Sequence, residues 1–79
     1  MDVQKDDTLD VTGLQCPVPI LHTARRIQDL PPGGVLEVLS DDPEVWKDLE
    51  AWCRRTGHAF LGAEAAEDGT RIFVRRKND

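Results

Sequence analysis

Two prolines separated by a single residue, Pro17 and Pro19, constrain this chain more than any other local feature. Each lacks an amide hydrogen and has its φ locked near about −65°, so neither fits a central sheet ladder or a helix interior. Both fit the first turn of a helix, where donors to earlier carbonyls are not yet required. The flanking patterns agree. Leu9 and Val11 alternate with Asp10 and Thr12, Leu14 extends the apolar set, and Gly13 stands where the chain must turn. After the prolines, Ile20, Ala24, Ile27 and Leu30 recur at helical spacing. A two-residue period has given way to a 3.6-residue one. The stretch Gly13–Ile20 therefore reads as strand end, turn and helix start, with Cys16 at the junction.

The rest of the chain follows the same grammar. Pro31-Pro32-Gly33-Gly34 ends the first helix and turns the chain. Val35, Leu36, Val38 and Leu39, interrupted by Glu37, form a second strand. Asp42 is expected to cap a second helix, with Pro43 at its first position and Val45, Leu49, Trp52 and Cys53 on one face. Gly57 stops that helix after Arg54 and Arg55. His58 to Glu64 reads as a third strand with Ala59, Leu61 and Ala63 on one side. Glu67-Asp68-Gly69-Thr70 is a hairpin turn into a fourth strand through Ile72, Phe73 and Val74.

The expected fold is a two-layer α/β sandwich, ordered strand-helix-strand-helix-strand-strand. A four-stranded mixed sheet carries both helices, near 17–30 and 43–56, on one face. The pattern leaves the strand order open. Phe60 and Phe73 fall on the uncovered face, as shields for the backbone or as a partner contact. The polar, acidic residues 1–8 are expected to be a flexible leader to a single domain over 9–77.

Composition excludes several functions. A net charge of −5 opposes strong nucleic-acid binding. Basic residues gather at Arg54-Arg55 and from Arg71 to Lys77, as a solvated mixed surface or as a docking patch. Cys16 and Cys53 form neither a Cys-x-x-Cys pair nor a ligand cluster, so no metal and no cofactor is expected. Asp2, Asp6, Asp7 and Asp10 crowd the place where a signal peptide would be apolar. No apolar run reaches membrane-spanning length. The expectation is a cytoplasmic monomer with reduced thiols.

Cys16 itself admits two readings. A free cysteine is often a small buried hydrophobe. At a helix start, however, unpaired amides and the helix dipole favour the thiolate, the form that attacks sulfur. A depressed Cys16 pKa is expected on that ground. Cys53, on the apolar face of the second helix, reads as a packing residue.

The residues Gly13, Leu14, Cys16, Pro17, Pro19 and Ile20 spell a Gly-Leu-x-Cys-Pro-x-Pro-apolar signature. With Arg25, Pro32-Gly33, Asp41-Asp42-Pro43 and the Cys53 to Gly57-His58 segment, the chain resembles the TusA-type (SirA-like) sulfurtransferase family from about Leu9 to Arg76. The resemblance implies the two-layer fold. It also implies a sulfur carrier with Cys16 as the persulfide-bearing residue, supported by Gly13, Leu14, Pro17 and Pro19. The partners it implies are a cysteine desulfurase or rhodanese-like donor and a downstream acceptor protein in tRNA thiolation, molybdenum-cofactor synthesis or sulfur oxidation.

Other residues are weighed against that role. Arg25 matches the family's basic position but stands roughly 13 Å along an ideal helix from Cys16, so it and Arg26 suit docking or plain solvation rather than proton transfer. His22 is poorly aligned with Cys16, and packing or capping suffices for His58. Asp41, Asp42 and Asp48 make no complete ligand set, and two of them suit a helix start. Two alternatives remain. One is a non-catalytic adaptor or regulator of the same fold, indifferent to loss of the Cys16 sulfur. The other is a redox-responsive thiol protein, which the missing resolving cysteine disfavours.

Overall fold

The computed structural model describes residues 4–78. Its elements run β1 (Asp7–Asp10), α1 (Val18–Ile27), β2 (Val35–Ser40), α2 (Val45–Thr56), β3 (Ala59–Ala66) and β4 (Gly69–Arg75). The four strands form one sheet in the order β1-β2-β4-β3. β1 runs parallel to β2, with Leu9 opposite Val38, as a helical crossover requires. β4 lies antiparallel between β2 and β3. Ile27 from α1 and Val45, Leu49, Trp52 and Cys53 from α2 meet Leu36, Val38, Ile72 and Val74 in a single core cluster. Both helices thus cover the same sheet face, in the expected two-layer arrangement.

The helix boundaries show how local chemistry sets each end. Pro17 occupies the N-cap position of α1, one residue outside the helix. The α-helix ends at Ile27 rather than 30, because Gln28, Asp29 and Leu30 bond back to Arg25, Arg26 and Ile27 in tighter three-residue turns. Asp42 does not cap α2 directly. Its carboxylate accepts the Glu44 N–H and its carbonyl the Val45 N–H, so it organises the turn that delivers Glu44 as N-cap. Gly57, at φ 90°, closes the other end with its N–H on the Cys53 carbonyl, a conformation that glycine adopts without a Cβ penalty.

Three details differ from the sequence reading. β1 begins at Asp7, inside the stretch expected to be a leader. The Asp6 N–H bonds to the Val35 carbonyl, and its carboxylate accepts the Val35 N–H. Residues 1–3 of that stretch lie outside the described residues. Second, a bulge between Phe60 and Gly62 breaks the alternation of β3. Phe60, opposite Val74, and Ala63, opposite Ile72, therefore pack against the core together, and Phe60 is not on the open face.

Third, the helix-free face is organised by charge. Phe73 does point that way but is fully buried, beneath an Arg71 guanidinium 5.4 Å from its ring centre. Beside it Glu37 is only 2% exposed. One Glu37 oxygen accepts from Lys5 Nζ at 2.6 Å and Thr8 Oγ1 at 3.0 Å. The other accepts from Arg71 Nε at 2.7 Å and Nη2 at 2.6 Å. Arg71 also reaches Glu64 at 2.8 Å. Every oxygen of this buried carboxylate has a partner, which makes its burial tolerable.

Candidate functional site

Cys16 sits on the lip between the starts of the two helices. The turn that leads to it is built by local bonds. Leu14 N–H reaches the Val11 carbonyl at 3.1 Å, and Gly13 takes φ 83°. A Cβ on Gly13 would meet nothing within 4 Å, so the backbone angle and not crowding calls for glycine here. Gly13 N–H donates to the Asp41 carboxylate at 3.0 Å, tying this turn to the β2–α2 loop. Leu14 packs against the core, and Pro19 is buried.

The helix start offers the sulfur no free amides. Pro17 and Pro19 have none. Val18 N–H is spent on the Gln15 carbonyl at 2.9 Å, and Ile20 and Leu21 N–H both turn to the Pro17 carbonyl at 3.1 Å. What the exposed Cys16 thiol does meet is acid: it donates to Asp48 Oδ2 on α2 at 2.6 Å. That hydrogen bond, partial burial, and the negative charges of Asp48, Asp42 and Glu44 push its pKa from an ordinary 9.0 up to about 11. The expected depression is therefore corrected to a rise. In the sequence Asp48 stood out only as one of three carboxylates, with Asp41 and Asp42, that make no complete ligand set. Its contact with Cys16 arises only when the topology places both helix starts at one end of the sheet.

The remaining candidates sort themselves by contact. Cys53 is buried in the core, and desolvation followed by the charge of Glu50 pushes its thiol up to about 11. Arg26 is engaged on its own domain, holding α1 to β1 through Asp7 at 3.0 Å and the Thr8 carbonyl at 3.4 Å. Arg25 and His22 are exposed on α1. His58 is buried, packs on Trp52 with ring centres 5.0 Å apart, and accepts the Lys77 N–H at Nδ1. Sequence reasoning passed over the apolar surface that α1 exposes near Cys16, Val18 at 37% and Leu21 at 61%. A shallow recess of about 420 Å³ between Gly13-Leu14-Gln15 and Asp41-Asp42-Pro43 lies beside it. The larger groove, about 640 Å³, is on the helix-free face along Glu37, Arg71 and Asp10, away from the thiol. Among the described residues no cluster of His, Cys, Asp and Glu could hold a metal ion. No helix among them is long and apolar enough to cross a membrane.

An exposed cysteine between two helix starts, on a split β-α-β sheet, can now be set beside known proteins. A family model described as Sulfurtransferase TusA matches residues 7–76. The chain belongs to the TusA family. It is 39% identical over 79 residues to the sulfur carrier protein TusA of Pseudomonas entomophila, covering 99% of this chain and 98% of that protein. It is 47% identical over 68 residues to YrkF of Bacillus subtilis, covering 86% of this chain but only 37% of YrkF. The crystal structure of a SirA-like protein from Desulfitobacterium hafniense shares the fold, with a TM-score of 0.78 at 22% identity over 90% of this chain and 97% of that one. Sulfur carriage is thus the family-level role of this TusA chain.

Proposed function

We propose that this protein relays a sulfane sulfur as a persulfide on Cys16, from a cysteine desulfurase or rhodanese-like donor to an acceptor protein. The observation that carries the reading is the isolation of one exposed thiol just before α1, with the second thiol buried in the core. Attack by Cys16 Sγ on the donor's terminal sulfur forms one S–S bond and breaks another. The donor cysteine leaves with the electron pair and takes up the proton that Cys16 gives up, so no oxidant is needed. A persulfide on Cys16 has no neighbouring thiol to collapse it, because Cys53 is held in the core.

Gly13, Leu14, Pro17 and Pro19 serve this role by fixing the turn. Val18, Leu21 and Arg25 offer the docking surface around it. The recess formed by Gly13-Leu14-Gln15 and Asp41-Asp42-Pro43 is open, which suits a macromolecular donor and acceptor better than a free metabolite. The acceptor belongs to tRNA thiolation, molybdenum-cofactor synthesis or sulfur oxidation, and the carrier works as a cytoplasmic monomer where thiols stay reduced. The test is incubation with a cysteine desulfurase, cysteine and the desulfurase's pyridoxal cofactor, followed by intact mass measurement, and the same with a rhodanese and thiosulfate. One added sulfur is expected on wild type and on Cys53→Ser, and none on Cys16→Ser. Labelling at Cys53 alone, or full sulfur delivery in cells by Cys16→Ser, would overturn the relay and leave an adaptor role.

A further inference from the structure

The carrier reading leaves a physical problem: a nucleophilic cysteine points its hydrogen at a carboxylate. We infer that Asp48 is a restraining residue, which holds the Cys16 thiol protonated and turned toward α2 in the free protein and so keeps it from reacting with small electrophiles. The inference rests on the persulfide-relay reading for its purpose, but its physical content is testable without any sulfur transfer.

The geometry has three parts. Asp48 approaches from α2, not from the chain segment that carries Cys16, and its Oδ2 lies 2.6 Å from Sγ. Asp48 N–H is bonded to the Glu44 carbonyl at 3.2 Å, so the carboxylate is mounted on a formed helical turn. The amides that elsewhere stabilise a thiolate at a helix start are missing or already used on α1, through Pro17, Pro19 and the Val18 to Gln15 bond. The charged groups acting on the sulfur are Asp48 on α2 with Asp42 and Glu44 just before it, and all three disfavour the anion. A hydrogen bond to the neutral form of an acid holds that form in place. The exposed sulfur is therefore accessible and at the same time chemically quiet, a combination suited to a protein that must ignore small molecules until its donor docks.

The experiment measures alkylation of Cys16 by iodoacetamide against pH, read by peptide mass spectrometry, for wild type, Asp48→Asn and Asp48→Glu. Asp48→Asn should lower the inflection by about one pH unit. Thiolate at neutral pH then rises about tenfold while intrinsic nucleophilicity falls about threefold, so the rate rises roughly threefold. Asp48→Glu should stay closer to wild type, which a merely structural role would not require. Wild type in 1 M salt should keep its inflection above 9.0, since a direct hydrogen bond is not screened as surface charge is. An unchanged inflection in Asp48→Asn, or equal displacement in Asp48→Glu, overturns the inference. So does a fall of the wild-type inflection to the ordinary range in salt, which keeps the test independent of any variant's folding. Failure of wild type to load sulfur would instead refute the relay, and leaves this measurement standing.

Discussion

Replacing Arg71 by Met probes the buried carboxylate on the helix-free face. The substitution keeps an apolar stem over Phe73 and removes both donors to one Glu37 oxygen. Breaking a buried pair by deleting one partner costs about 3–5 kcal/mol. Here Arg71 is 38% exposed, and Lys5 and Thr8 still serve the other oxygen, so the cost should be nearer about 2 kcal/mol. With a urea m-value of about 1 kcal/mol/M for a small domain, the midpoint should fall by about 2 M. Urea titrations followed by circular dichroism at pH 7 read this directly. In a Glu37→Leu background the same Arg71→Met change should cost under about 0.5 kcal/mol, because no buried charge is left behind. Acid adds a second check. Burial alone would raise the Glu37 pKa, but the hydrogen bonds from Lys5, Arg71 and Thr8 outweigh it and hold it below its ordinary 4.5. A carboxyl lowered in the folded state contributes stability above its unfolded pKa that is lost as pH falls through the folded value. Arg71→Met should flatten that acid loss. A midpoint shift under about 0.5 M, or an equal cost in both backgrounds, would refute the reasoning.

Two further outcomes are expected. Wild-type Cys16 should alkylate with an inflection near 11, and Cys53 should react far more slowly until urea unfolds the chain; equal native rates would mean that α2 does not bury Cys53. Gly69→Ala should lower stability by about 2 kcal/mol or more, measured by thermal melting, since φ is +154° and the added Cβ would fall 2.2 Å from the Ser40 carbonyl oxygen.

The fold was legible because its signals are local. Pro17 and Pro19 fit a helix start but not its interior, and the periods of Ile20 to Leu30 and Val45 to Cys53 announce faces that the core cluster contains in large part. Features that depend on a neighbour were not legible. Asp6, Asp7 and Thr8 look like a polar leader because their partners, Val35, Arg26 and Glu37, belong to other elements. Glu37 reads as an interruption of a strand until Lys5 and Arg71 close over it. The bulge after Phe60 leaves no mark in a sequence of small and apolar residues, and it brings Phe60 to the core side together with Ala63. At the site, the motif pointed to Cys16 but not to its chemistry. The helix-dipole argument assumed free amides, whereas the two prolines that mark the helix start are the residues that remove them.

That removal has a consequence for whatever Cys16 holds. A nest of amides would bind an anionic sulfur chain tightly and slow its departure. Here the amides at the start of α1 are absent or spent, and the nearby charges are negative. Cargo attached at this position would be raised in energy by its own carrier. A partner presenting a cation or a free N–H beside Cys16 would supply the stabilisation that the start of α1 withholds.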